Sequence, residues 1–331
     1  MTHRVVLSDL KTIDVETGRD VFARAETGVG TEVELDVRDS PPRTPEAVVD
    51  ALEGAHGLIV DSSTPVTCEV LERAESLRVV GRAGIGVDNV DVAAAAANDV
   101  VVLNVPGYAV EEVSTHALAL LLACVRKTHV YDSQVKSGTW SWEDGRSLHR
   151  LQGKTVGLLA FGKIARRFAE KVSGFGFDVL ACDPYVDEAE MADAGVEKVG
   201  FEEVLGESDI LSVHAPLTDE TEKLLDAEAF SAMSDGAVII NTARGSVIDV
   251  DALADALSNG SVAAAGLDVF DPEPPDDSPL LDRDDVVMTP HTAWYSEESR
   301  RELSRDVAAD VMSVLSGEEP NSPVDPDAGW F

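Results

Sequence analysis

Short apolar runs rich in β-branched residues alternate with helical patterns along nearly the whole chain, and no other feature limits the fold as much. In the first third the strand candidates are Arg4–Ser8, Glu32–Val37, Gly57–Asp61, Leu77–Arg82 and Val100–Asn104. Helical stretches at Pro45–Glu53, Thr67–Ala74 and Val92–Asn98 lie between them. Strands joined through helices cross over and lie parallel, with helices on both faces of the sheet. The predicted class is α/β.

A Leu- and Ala-rich helical stretch, Glu111 to Ser137, follows, and past Trp140-Ser141-Trp142 the alternation restarts at Lys154. The second set of strands is Thr155–Ala160, Asp178–Cys182, Ile210–His214, Val238–Thr242, Ala263–Val269 and Val286–Thr289. A last helix, Ser296 to Leu315, has no strand partner in that set and is expected to return to the first lobe. The expected architecture is two Rossmann-like lobes with doubly wound parallel sheets. The nucleotide-binding lobe, residues 105–297, is inserted into a discontinuous, flavodoxin-like substrate lobe built from 1–104 and the returning 298–331.

Composition narrows the partners. Against 26 basic residues stand 62 acidic ones, a formal charge of −36, yet 44% of the chain is hydrophobic, as in a globular protein. The acid must coat a folded surface. Such a field opposes nucleic-acid backbones, which need clustered cations, and anionic membranes. Lysine supplies only 8 of the basic residues, and acid is spread along the whole sequence. That pattern reads as adaptation to high salt, where a Debye length of about 3 Å at 1 M screens the self-repulsion. Cys68, Cys124 and Cys182 lie far apart without a Cys-x-x-Cys, so neither a disulfide framework nor a metal site is expected. The N-terminus runs directly into Val5-Val6-Leu7, and the apolar stretch Ala117–Val125 is too short for a bilayer. A cytoplasmic protein is the expectation.

The second set of strands opens with Thr155-Val156-Gly157-Leu158-Leu159-Ala160-Phe161-Gly162-Lys163-Ile164-Ala165, and Asp183 stands at the next strand's end. Strand, tight turn and helix bring backbone N–H groups against a pyrophosphate, while the distant carboxylate takes ribose hydroxyls. Asp183 would repel a 2′-phosphate, and Pro184-Tyr185 follow rather than an arginine, which selects NAD(H). Ala160 and Ala165 stand where a Gly-x-Gly-x-x-Gly pattern has glycine. Ala165 suits helix–strand packing, whereas Ala160 requires that φ at the turn stay negative.

Three later strand ends carry chemistry. Asn241-Thr242-Ala243-Arg244-Gly245 puts an arginine after an apolar strand, Leu267-Asp268-Val269-Phe270-Asp271-Pro272-Glu273-Pro274 a carboxylate in a proline-stiffened turn, and Thr289-Pro290-His291-Thr292-Ala293-Trp294-Tyr295 a histidine. Ligands of open α/β sheets bind at this carboxyl edge. A guanidinium grips the carboxylate of a 2-keto acid with parallel hydrogen bonds. Histidine supplies the proton that carbonyl reduction requires, and Glu273 would fix its tautomer and favour its charged form. Arg244, Glu273 and His291 are thus the expected catalytic set for hydride transfer on 2-hydroxy or 2-keto acids.

With Arg82-Ala-Gly84-Ile85-Gly86-Val-Asp88-Asn89 added to these segments, the chain resembles the D-isomer-specific 2-hydroxyacid dehydrogenase family. The run His291-Thr-Ala-Trp294-Tyr295-Ser296-Glu297-Glu298 looks most like its C-terminal-binding-protein-like branch. The resemblance implies that Phe161, Gly162, Lys163, Ile164, Asp183, Pro216, Thr221, Thr242, Ala243 and Asp268 contact the cofactor. It also implies that Arg82, Gly84, Ile85, Gly86, Arg244 and Trp294 contact the substrate, and that the chain forms a homodimer through the region near 104–140. Two alternatives stay open at this point. One is a D-3-phosphoglycerate dehydrogenase or glyoxylate/hydroxypyruvate reductase within the family; the other is an NAD(H)-sensing, corepressor-like binding protein.

Overall fold

Valine- and isoleucine-rich segments covered on both faces can bury nearly every side chain, and the central strands Gly57–Val60, Val79–Arg82, Ile210–Val213 and Ala237–Asn241 do so. The computed structural model describes residues 2–8, 12–29, 31–145 and 147–328 and divides into two compact units. Unit 1 is Met1–Ala109 with Tyr295–Phe331, and unit 2 is Val110–Trp294.

Unit 1 begins with β1 (Thr2–Leu7), α1 (Val15–Val29), β2 (Glu32–Val37), α2 (Pro45–Ala51) and β3 (Gly57–Val60). It continues through α3 (Cys68–Arg73), β4 (Val79–Arg82), α4 (Val92–Ala97) and β5 (Val101–Leu103). Unit 2 opens with the helices α5 (Val110–Arg126) and α6 (Thr128–Lys136), then β6 (Thr155–Leu159), α7 (Lys163–Val172) and β7 (Asp178–Cys182). Next come α8 (Glu188–Asp193), β8 (Glu197–Lys198), α9 (Phe201–Glu207), β9 (Ile210–Val213) and α10 (Ala227–Ala232). The unit closes with β10 (Ala237–Asn241), α11 (Val250–Asn259), β11 (Val262–Leu267) and β12 (Val286–Met288), and α12 (Glu297–Ser316) belongs to unit 1.

Both sheets are parallel. Unit 1 has the flavodoxin-like order β2-β1-β3-β4-β5. Unit 2 runs β12-β11-β10-β9-β6-β7-β8, the dinucleotide-binding winding with a further strand at one edge. Its order reverses between β6 and β9, where such sheets open to ligands at the strands' carboxyl ends.

Strand periodicity sorts the cores. On β10, Val238 and Ile240 join Leu120, Leu121 and Phe168 on one face, while Ala237 and Ile239 join Leu211, Phe230 and Leu253 on the other. In unit 1, α12 lies directly on β4: a Cβ added to Gly81 would stand 2.8 Å from the side chains of Val307 and Val311. Only glycine there admits the helix at this distance.

The helical stretch from Glu111 to Ser137 is two helices. Lys127, with φ of 50°, ends α5 and begins α6. Packing and propensity change together here: α5 buries Ala117, Leu120, Leu121 and Cys124, whereas α6 opens on the weaker helix formers Thr128, His129 and Val130 and buries no residue. No described helix is long and apolar enough to cross a membrane.

Candidate active site

The turn after β6 overturns one expectation. Ala160 has φ of 69°, in the left-handed region, where the sequence reading required a negative value. Surrounding hydrogen bonds hold it there. Ala160 donates its N–H to the Cys182 carbonyl at 2.9 Å, and Phe161 donates its own to Asp183 Oδ2 at 2.8 Å. Arg166 Nε donates to the Phe161 carbonyl at 3.0 Å, and its guanidinium lies 4.7 Å from the centroid of the Phe161 ring. An alanine in this region costs about 1–2 kcal/mol, partly offset by its smaller unfolded-state entropy. Ala160→Gly is therefore expected to raise the unfolding free energy by about 0.5–1 kcal/mol, measured by chemical denaturation. An unchanged or lower value would show that the alanine is unstrained.

Phe161, expected among the cofactor contacts, is wholly buried, with its N–H and carbonyl both used inside the chain. It shapes the turn. Gly162 caps α7 and has no neighbour within 4 Å of an added Cβ, leaving open space beside the N–H groups of Lys163 and Ile164. Asp183 also accepts from Tyr185 N–H at 2.8 Å, so both its oxygens are aimed by the backbone. The carboxylate keeps lone pairs for two hydroxyls. At the β10 end, Thr242 Oγ1 is buried and without a hydrogen-bond partner among the described residues. An unsatisfied buried hydroxyl costs about 1–3 kcal/mol, and a polar ligand would relieve it. This turn, carboxylate and orphaned hydroxyl fit a nicotinamide dinucleotide. Thr221 is placed differently: its hydroxyl donates to the Pro216 carbonyl at 2.6 Å and closes that loop on itself.

Arg244 follows β10 in a turn clipped by Asn241, which accepts from Ala243 N–H at 2.9 Å and donates to the Arg244 carbonyl at 2.8 Å. Its guanidinium donates to the Ala243 carbonyl at 2.7 Å. Gly245 lets this turn meet the next loop, since a Cβ there would stand 2.1 Å from the Phe270 carbonyl carbon. That loop holds Glu273. His291 Nδ1 and Glu273 Oε2 are 2.9 Å apart, and Glu273 Oε1 accepts from Phe270 N–H at 3.1 Å. Burial pushes the Glu273 carboxyl up, but the hydrogen bond and charge of His291, the Phe270 N–H and the Arg244 charge outweigh it. The net shift is below the usual glutamate value. Arg244 therefore acts on the same carboxylate that orients the imidazole.

A carboxyl depressed in the folded state contributes stability above its unfolded pKa and loses it as pH falls through the folded value. Glu273→Gln is thus expected to be less stable than the parent above about pH 5, with the gap closing under more acidic conditions. With side-chain exposures of 31% and 37%, solvent screens the pair and keeps the gap small. Urea midpoints across pH measure it, and a constant gap would refute the assignment.

The backbone at His291 is itself unusual. Its φ is 50°, a conformation that a non-glycine residue keeps only where its surroundings over-determine it. His291 N–H donates to the Asp268 carbonyl at 2.8 Å, and Trp294 Nε1 donates to the His291 carbonyl at 3.1 Å. The Asp268 side chain, wholly buried, accepts from Thr292 N–H at 2.9 Å, Ala293 N–H at 2.8 Å and Thr289 Oγ1 at 2.6 Å. Expected as a cofactor contact, Asp268 is here the knot that folds the histidine segment.

In unit 1, Arg82 is buried and donates to the Ala83 carbonyl at 2.7 Å. Gly84 has φ of 150°, and a Cβ on it would overlap Arg82 Nη1 at 1.5 Å. Asn104 donates to the Ile85 carbonyl at 2.7 Å, holding the Gly84–Gly86 turn.

Two histidines lie outside the expected catalytic set. His214, at the β9 end, is held down to about 4 by burial and stands 3.0 Å from Ser212 Oγ. His116, on α5, lies 2.9 Å from Thr289 Oγ1. His116 lies on a helix and His214 closes a strand with no arginine or carboxylate beside it in sequence, so pattern alone marked neither. Among the described residues no three or more His, Cys, Asp or Glu side chains are placed to hold a metal. Cys124 is an inert thiol, pushed up to about 12 by burial.

The chain is similar to known proteins over most of its length. Residues 118–293 match the family model described as D-isomer specific 2-hydroxyacid dehydrogenase, NAD binding domain. The chain is 42% identical over 301 residues to a D-3-phosphoglycerate dehydrogenase of Mycobacterium leprae, covering 91% of this chain and 56% of that protein. It thus spans little more than half the length of such relatives. A glyoxylate reductase of Korarchaeum cryptofilum is 35% identical over 307 residues, with 91% of this chain and 92% of that protein covered. Among solved structures, the TT0316 protein of Thermus thermophilus superposes with a TM-score of 0.85 at 33% identity, covering 97% of this chain and all of that one (100%).

Proposed function

Because the chain belongs to the D-isomer specific 2-hydroxyacid dehydrogenase family, we propose that it interconverts a 2-keto acid and a D-2-hydroxy acid by NAD(H)-dependent hydride transfer. The observation that carries this reading is the 2.9 Å His291–Glu273 pair, with the charge of Arg244 bearing on the same carboxylate. When bound, the nicotinamide supplies or takes the hydride. The chain does the rest. Glu273 fixes the proton of His291 on Nδ1, which leaves Nε2 to exchange a proton with the substrate's C2 oxygen. Arg244 anchors the carboxylate through parallel hydrogen bonds. Asp183 receives the adenosine ribose hydroxyls and turns away a 2′-phosphate, favouring NAD(H) over NADP(H).

For the substrate side, we propose Arg82, the Gly84–Gly86 turn and Trp294 on the strength of the family resemblance of their segments. The Trp294-Tyr295 pair favours the C-terminal-binding-protein-like branch. The names of the relatives put glyoxylate and 3-phosphohydroxypyruvate among the keto acids to try. Trp140 and Trp142, 91% and 72% exposed, support a homodimer, since large aromatic surface on one chain is normally covered by a partner. The charge of −36 supports a salt-adapted, cytoplasmic protein that binds neither nucleic acid nor membrane.

The test is oxidation of NADH with a panel of glyoxylate, hydroxypyruvate, 3-phosphohydroxypyruvate, pyruvate and a branched keto acid, in dilute buffer and in multimolar potassium chloride. Turnover with at least one of them, rising with salt, is expected. Bound NADH without turnover across the panel would sink the enzymatic reading.

A further inference from the structure

Beyond the three catalytic residues, we propose that His116 is a positioning residue, which sets the backbone of His291 through Thr289 and Asp268. The inference rests on the acid/base role assigned to His291 above. His116 stands on α5, far in sequence from the strand ends, yet its Nε2 lies 2.9 Å from Thr289 Oγ1 and 3.5 Å from Asp268 Oδ1. Thr289 has a single hydroxyl proton and gives it to Asp268 Oδ1 at 2.6 Å. The hydroxyl oxygen therefore accepts from the imidazole, and the His116 ring must carry its proton on Nε2. The direction of each bond in the chain His116–Thr289–Asp268 follows from this one count of protons.

The chain ends at the strained segment. Asp268 Oδ1 also accepts from Thr292 N–H, its Oδ2 from Ala293 N–H, and its backbone carbonyl from His291 N–H. His291 holds φ of 50° between these bonds. Asp268 can keep three inward donors in register only while its own position is fixed from the side that faces α5. His116 and Thr289 supply that fix: one is a ring N–H and the other a hydroxyl, joined end to end. Removing the Nε2–H leaves Thr289 free to rotate away from Asp268, and the histidine segment loses its outer support. A misplacement of about 1 Å at a reacting group is enough to slow the reaction by about two orders of magnitude.

Two variants separate this role from simple packing. His116→Phe keeps the ring volume and removes the donor, whereas His116→Gln places an amide N–H where Nε2 was. We expect His116→Phe to lower kcat by about 10- to 100-fold, with the NADH Kd, read by fluorescence, within about twofold of the parent, and His116→Gln to restore most of kcat. Thr289→Val and Thr289→Ser should repeat the loss and the rescue from the middle of the chain. Independently of any turnover, nitrogen NMR of labelled histidine at about pH 9, above the ordinary imidazole range, should show the His116 ring protonated on Nε2. A ring protonated on Nδ1 would overturn the proposal, as would parental kcat in His116→Phe. Equal loss in His116→Phe and His116→Gln would assign the effect to packing and overturn it too. A chain that turns over no keto acid would defeat the enzymatic reading alone, and the NMR result would still decide the network.

Discussion

Replacing His291 with alanine is expected to lower kcat by about 10³-fold while the NADH Kd stays within about twofold. The size follows from what the ring does twice over. In the proposed reaction it is the group that exchanges a proton with the C2 oxygen, which is worth about 10²–10⁴ in rate where a side chain is well placed. It is also the hydrogen-bond partner that opposes the effect of burial on Glu273, which otherwise pushes that carboxyl up. Without the ring, Glu273 keeps the Phe270 N–H and the Arg244 charge but loses its largest stabilising contact, so its carboxyl rises; it does not replace the donor because it stands on the Nδ1 side of the imidazole, away from the proton-exchanging Nε2. Cofactor binding should be spared, because the Asp183 carboxylate and the turn after β6 are fixed by bonds to Phe161, Tyr185 and Cys182 in which His291 has no part. Single-turnover reduction of the keto acid identified by the panel measures the chemical step directly. A loss below about threefold would mean that the proton comes from elsewhere, and the catalytic assignment would fall.

Much of this molecule could be read in its letters, and the boundary between what could and could not is physical. The alternation of Val5–Leu7, Leu58–Val60 and their successors reports the sheets because burial on both faces of a parallel strand leaves a composition that any reader can see. Arg244, Glu273 and His291 stand out because each follows a strand and so lies on one rim. Other features leave no trace in composition. The left-handed backbone of Ala160 and of His291 is imposed by hydrogen bonds to Cys182, Asp183 and Asp268, residues near them only in space. Lys127 breaks a helix where the surface beneath it changes, from the buried face of α5 to α6, which buries no residue. Asp268 showed a carboxylate in a useful place, but its use as a knot depends on Thr292, Ala293 and Thr289 folding back over it. His116 is invisible for the same reason, its partner Thr289 being 173 positions away.

The second large effect is expected at Asp268. Asp268→Asn keeps the size and shape of the side chain and changes only what its two terminal atoms can do. The carboxylate accepts at both: Oδ1 from Thr289 and Thr292, Oδ2 from Ala293. An asparagine has one accepting oxygen and one NH₂ group, which can only donate. Turned one way, the NH₂ faces Ala293 N–H; turned the other, it faces Thr292 N–H. The Thr289 hydroxyl can rotate to adapt, but a backbone N–H cannot, so each orientation leaves one buried donor opposite another. The residue is wholly buried, so water cannot intervene. The expected cost is about 3 kcal/mol in unfolding free energy, the upper part of the range for an unmet buried donor because a second donor is forced against it. The relief open to the chain is to move Thr292 and Ala293 away, and that motion carries His291 with them. A fall in kcat of about 10²-fold should therefore accompany the loss of stability. Urea denaturation and steady-state kinetics on the same preparation read both quantities. Asp268→Asn with parental stability would mean that the three donors do not converge on this carboxylate. A stability loss without a kinetic one would mean that His291 keeps its place by other bonds, and the knot would be structural alone.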